Sequence, residues 1–240
     1  MSGHSKWHNI QATKNKADAK RASVFTKIGR EISVAVKAGG ADPAINSRLA
    51  DVIAKARSNN MPNDNIQRSI KKAAGDINNV NYDSITYEGY GPAGVAFIVE
   101  CLSDNKNRTA GDVRHAFDKH NGSLGTSGSV SFMFERKGVI ALENDGSLTE
   151  DKVFEIAIEA GAEDVQAEDD GFVVLTEPNN LHAVVDAFKN AGITPVQAEV
   201  EMVPNNYVTP TESQAETLTK LVDALEDLDD VQNVYHNGDF

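Results

Sequence analysis

Lys6, Lys14, Lys16, Lys20, Arg21, Lys27 and Arg30 fall within the first thirty residues, where Asp18 is the only acid. Cations at that density suit one kind of chemistry, charge-assisted contact with a polyanion such as a phosphate backbone. Trp7 sets an indole beside Lys6, a side chain able to stack on an exposed base or to fold back as an anchor on the helices that follow. Lys71 and Lys72, with Arg68 nearby, form a second basic group; Lys106 and Arg108 form a third, a further candidate phosphate contact. The first 76 residues hold 14 Lys and Arg against 6 Asp and Glu, net +8, whereas residues 77–240 hold 9 against 30, net −21. Asymmetry of this size within one chain points to nucleic-acid or membrane-surface contact.

Other candidate chemistries fail on context. Gly89-Tyr90-Gly91-Pro92-Ala93-Gly94 matches GxGxxG, but a dinucleotide loop must open a helix so that the pyrophosphate meets its N-terminus. Here the run lies between two strand-like segments and reads as a hairpin turn. Cys101, the single cysteine, sits in the apolar run Ile98–Leu102, which predicts a buried inert thiol and a reducing compartment. His4 and His8 have the i, i+4 spacing of helical metal ligands but no third ligand nearby, so no metal is expected. The acidic runs Glu163–Asp170 and Glu226–Asp230 read as solvated faces rather than acid–base pairs. No nucleophile–base pair stands out. The expectation is a non-enzymatic protein with no catalytic residues, no cofactor and no small-molecule substrate. No apolar run approaches a membrane span, and the basic N-terminus lacks the apolar region of a secretory signal, so a cytoplasmic protein without membrane contact is expected.

The elements that must position these side chains follow from periodicity. From Gln11 to Ala38 an apolar arc of Val24, Phe25, Ile28, Ile32, Ala35 and Val36 opposes a basic sector of Lys16, Lys20, Lys27, Arg30 and Lys37. Gly39-Gly40 ends this helix, and Asp42-Pro43 reads as the N-cap and first position of a second, with Ile45, Leu49, Val52, Ile53 and Ala56 on its buried side. A third helix places Ile66, Ile70 and Ala73 inward and Arg68, Lys71 and Lys72 outward. Strands are expected at Ser84–Glu88, Val95–Glu100 and Ser129–Phe134, with a helix over Lys106–His120. Ala160-Gly161 and Val165-Gln166-Ala167-Glu168 recur 31 positions later as Ala191-Gly192 and Val196-Gln197-Ala198-Glu199. Each copy closes a strand–helix–strand unit, which together give the β-α-β-β-α-β order of a ferredoxin-like domain. A last helix, Ser213–Leu228, and strand, Val231–Tyr235, return to complete the segment before the repeat.

Several motifs resemble those of the YebC/PmpR family: Gly3-His4-Ser5-Lys6-Trp7, Ala19-Lys20-Arg21, Phe25-Thr26-Lys27-Ile28, Asn59-Asn60-Met61-Pro62, Tyr87–Pro92, Asp104–Thr109 and Val231–Tyr235. The resemblance spans nearly the whole chain; Ala93 departs from it, standing where many members have a second glycine. It implies three domains, a helical N-terminal one and two α+β ones, the middle closed by the C-terminal segment. With the topology read above, the expected fold is α+β, an N-terminal three-helix domain plus two α+β, ferredoxin-like domains, one inserted into the other. The expected boundaries are 1–80 for the basic helical domain, 81–135 with 205–240 for the middle domain, and 136–204 for the insert. Family members are described as transcriptional regulators that bind DNA, and related proteins include mitochondrial translational activators. No catalytic residue, metal or cofactor comes with the family. Two partners are therefore expected for the basic module, DNA or ribosomal RNA, with the ribosome or another protein meeting the acidic domains.

Overall fold

The computed structural model describes residues 21–75, 80–144, 146–168 and 170–240. The expected start of the first helix, before Arg21, lies outside them. Helix α1 is described over Arg21–Gly39, α2 spans Ser47–Ser58 and α3 spans Asn63–Gly75. Their apolar stripes meet in one core of Ile28, Ile32, Leu49, Val52, Ile66 and Ile70, with Met61 filling the turn before α3. Burying one stripe per helix is what holds such short helices, since each alone would be marginal in water.

The start of α2 differs from the sequence reading. Asn46, not Asp42, caps the helix, its side chain accepting from Leu49 N at 3.0 Å while its amide donates to Ala35 O and Gly40 O. Asp42-Pro43 instead forms a turn in which Asp42 Oδ1 accepts from Ala44 N. Ile45 falls in that turn and is 81% exposed, so it does not join the buried stripe. A buried Asn that satisfies both the end of α1 and the start of α2 outcompetes a cap serving only one helix.

Strand β1 (Asp83–Tyr90) and β2 (Ala96–Ser103) form a hairpin around the Pro92–Gly94 turn, as the GxGxxG context required. Gly89 faces the backbone carbonyl of Ser123 and the Phe117 ring so closely that a methyl group there would lie 2.7 Å from the oxygen. This glycine makes room for that packing. Helix α4 (Lys106–Lys119) follows, then β3, only Ser123–Leu124, which pairs with β1. The expected strand at Ser129–Phe134 is absent: Ser131–Met133 is a 3-10 turn and the next strand opens at Phe134. The reason is Glu88, buried, whose carboxylate accepts from Gly128 N and Val130 N at 2.7 Å each and so holds the backbone in a loop.

Strands β4 (Phe134–Glu143), β5 (Asp164–Glu168), β6 (Gly171–Thr176) and β7 (Gln197–Pro204) form an antiparallel sheet in the order β5-β6-β4-β7. With α5 (Glu150–Glu159) and α6 (Leu181–Asn190) this is the ferredoxin-like plan. The repeated Ala-Gly pairs end α5 and α6 identically. Gly161 and Gly192 adopt φ of 90° and 79°, and the next residues return bonds to Ala157 O and Phe188 O. That is the Schellman ending, which needs a residue at positive φ. Finally α7 (Glu212–Glu226), opened by a Thr211–Gln214 capping box, leads to β8 (Val231–His236). β8 pairs with β2, giving the first sheet the order β3-β1-β2-β8. The fold is therefore α+β, with a helical N-terminal part and one α+β part inserted into another. The described chain forms two compact units, one running to Val130 and resuming over Pro210–His236, the other comprising Ser131–Thr209 and Asn237–Phe240.

Candidate nucleic-acid interface

Three of the basic side chains on α1 are engaged within the protein. Lys27 Nζ donates to Glu226 O at 2.6 Å. The Arg30 guanidinium donates to Leu102 O, Asp229 O and Asp230 Oδ1, and lies 5.4 Å from the Tyr82 ring centre. Lys37 Nζ donates to Val80 O and Asn81 Oδ1. Lys27 and Arg30 are thus half-buried against the turn between α7 and β8.

Asp230 is the hub of that turn. Its Oδ2 accepts from Arg108 Nη2 at 2.7 Å, Thr109 Oγ1 at 2.6 Å and Ser103 Oγ at 3.1 Å, while Oδ1 takes Arg30. Its carbonyl accepts from Leu102 N, which ties the start of β8 to β2. Burial alone would raise its pKa; the bonds from Thr109, Arg108, Arg30 and Ser103 outweigh burial and hold it at about 2. Arg108 also donates to Asp104, and these two carboxylates hold its guanidinium charged. Lys106 pairs with Asp83 at 3.2 Å. Arg30 and Arg108 line a cleft of about 460 Å³ together with Asp104, Asp112, Asp227, Asp229 and Asp230. Five carboxylates against two guanidiniums make this cleft electronegative, so it repels phosphate.

The basic side chains of α3 behave differently. Arg68, Lys71 and Lys72 are exposed on the face opposite Ile66, Ile70 and Ala73, with Asp64 the one acid on that side. Lys6, Trp7, Lys14, Lys16 and Lys20 lie outside the described residues, as do His4 and His8; Arg21 opens α1. The structure therefore separates the candidate residues. Lys27, Arg30, Lys106 and Arg108 have partners in the protein, and Lys71 and Lys72 face solvent. In the sequence Glu226–Asp230 reads as a solvated run. Asp230 is 6% exposed and central, and the only local hint was its place directly before a strand.

Cys101 is buried, and burial together with the charge of Asp230 pushes its thiol up to about 12, far from a reactive thiolate. No group of three His, Cys, Asp or Glu among the described residues could hold a metal ion, and no described helix is long and apolar enough to cross a membrane.

A helical module with an exposed basic helix face, followed by two α+β parts each built on a four-stranded antiparallel sheet, defines the class of fold. Within it the chain belongs to the TACO1/YebC family. The model of the TACO1/YebC N-terminal domain matches residues 5–76, and that of the second and third domain matches residues 82–238. A "Probable transcriptional regulatory protein" of Clostridium botulinum (strain Okra) is 56% identical over 240 residues, covering 100% of this chain and 98% of the relative. A protein of the same description from Acetivibrio thermocellus is 56% identical over 238 residues, covering 99% and 98%. The crystal structure of a conserved hypothetical protein from Aquifex aeolicus superposes with a TM-score of 0.84 at 43% identity, covering 92% of this chain and 91% of that one.

Proposed function

We propose that this protein is a non-enzymatic regulator of gene expression that binds DNA through its basic N-terminal module, in the cytoplasm. The observation that carries the reading is the charge partition, +8 over residues 1–76 and −21 over the rest. The exposure of Arg68, Lys71 and Lys72 supports it. So do the names of the relatives, which are transcriptional. In this reading Lys6, Lys14, Lys16, Lys20, Arg21, Lys71 and Lys72 contact phosphates, and Trp7 stacks on a base or anchors the arm. Lys27 and Arg30 instead fasten α1 to the sheet beneath it. In this reading affinity rests on phosphate contacts, which carry no sequence information of their own.

The test is duplex-DNA binding by anisotropy across a salt series. Neutralised phosphates release counterions, so affinity should fall steeply as salt rises, and a K71E/K72E double variant should show a shallower slope. Affinity that does not change with salt refutes the proposal.

A second reading places ribosomal RNA under the same basic surface. The −21 body favours it, because that charge is repelled by naked duplex yet accommodated among basic ribosomal proteins. Gradient sedimentation of cell extract separates the two. Co-migration with ribosomal particles and absence from nucleoid DNA select the translational role.

A further inference from the structure

Residues 131–209, which make up most of one compact unit, carry 16 acidic and 4 basic residues, net −12. One of the four, Lys137, is already surrounded by Glu135, Glu163 and Glu177. On α5 of this unit Val153 and Ala157 are fully buried and supply the helix's share of the core. Phe154 and Ile158, one turn apart, are 52% and 43% exposed. Residues i and i+4 are neighbours on a helix surface, so the two side chains form one apolar stripe. Glu150, Asp151, Glu155 and Glu159 lie on the same helix, all exposed, with Lys152 its single cation.

The internal repeat supplies a control. Helix α6 is the equivalent element 31 residues on, where Val185 stands for Phe154 and Lys189 for Ile158. Val185 is buried and Lys189 is an ordinary exposed lysine. The fold is therefore satisfied by a lysine at this helical position, and α5 instead displays isoleucine beside an aromatic ring in an acidic setting.

We propose that the Phe154–Ile158 face of α5 is a docking surface for a basic protein segment, rich in lysine or arginine and carrying an apolar side chain. The complementarity is double. The apolar stripe buries the anchor, while the ring face and the four carboxylates take the cations. Nucleic acid is repelled from this face, so the surface works independently of the basic module and stands whether that module meets DNA or RNA.

The probe is a short fluorescent peptide of lysine and arginine with one leucine and one phenylalanine, compared with a lysine-only peptide and titrated into the full chain. The anchored peptide should bind about tenfold more tightly, the return on burying one or two apolar side chains. Amide shifts should centre on α5. I158K, which copies the lysine of α6, should abolish that advantage without altering the melting temperature or DNA affinity. E155K should weaken both peptides while leaving the ratio between them in place. Equal binding of the two peptides, shifts away from α5, or indifference to I158K overturns the proposal. Concentration-dependent self-association abolished by I158K would also overturn it, assigning the face to a second copy of the chain.

Discussion

Asp230 gathers side-chain donors from Arg30, Arg108, Thr109 and Ser103 on one carboxylate. Its carboxyl sits at about 2 against an ordinary value of 3.8, so the charged form is bound more tightly in the folded state. The stabilisation is present above pH 4 and is lost as pH falls through 2, and a shift of this size corresponds to about 2 kcal/mol. Asp230→Asn should therefore lower the urea-unfolding free energy at pH 7 by about 2 kcal/mol or more, because Arg30 loses its charged partner and Arg108 keeps only Asp104. The gap between variant and wild type should narrow as unfolding is repeated from pH 5 down toward pH 2. A gap independent of pH would show that the carboxylate charge is not what matters. Ala93 offers the opposite case: it adopts φ of 60° in the β1–β2 turn, a region that favours glycine. Ala93→Gly should raise stability by about 1 kcal/mol, read as an increase in melting temperature.

At the scale of elements, the two repeat helices end by the same device. Gly161 and Gly192 both hold positive φ, but only Gly161 lies against a neighbour: a methyl group there would meet the Asn180 amide at 2.5 Å. That amide donates to Ala160 O and Gly161 O. Gly192→Ala should cost about 1 kcal/mol from backbone strain alone. Gly161→Ala should cost measurably more, since the Asn180 bonds must also move. Chemical denaturation of the two single variants checks the order, and equal losses would mean that Asn180 yields freely. Elsewhere a distant side chain overrides the local pattern. Residues 129–134 look like a strand, yet Glu88, forty residues earlier on β1, takes the backbone amides of Gly128 and Val130 and leaves a loop.

For the molecule as a whole, the basic sector of α1 serves structural attachment where it is described, and the proposed nucleic-acid binding falls to other cations. This separates two effects that charge counting merges. Arg30→Ala should destabilise the fold by about 2–3 kcal/mol, because Asp230 stays buried with one cation fewer. It should leave the salt slope of nucleic-acid binding unchanged. The K71E/K72E variant should do the reverse, holding its melting temperature and losing slope. Unfolding and binding measured on the same two proteins test both halves.

The sequence by itself determined what depends on neighbours along the chain. Stripes such as Ile28–Ile32–Ala35 and Ile66–Ile70–Ala73 named the helices and their buried faces. The 31-residue repeat named the ferredoxin-like unit, and the count of acids and bases divided the chain into a basic end and an acidic body. Helix periods and hairpin turns are local, so they could be read. Tertiary structure alone decided which cations remain available. Arg30 and Arg108 meet Asp230 across 200 and 122 residues, and Asn46 caps α2 because the end of α1 needs its amide. A carboxylate or amide takes whichever donors the packing brings within 3 Å, and no spacing along the chain records that choice.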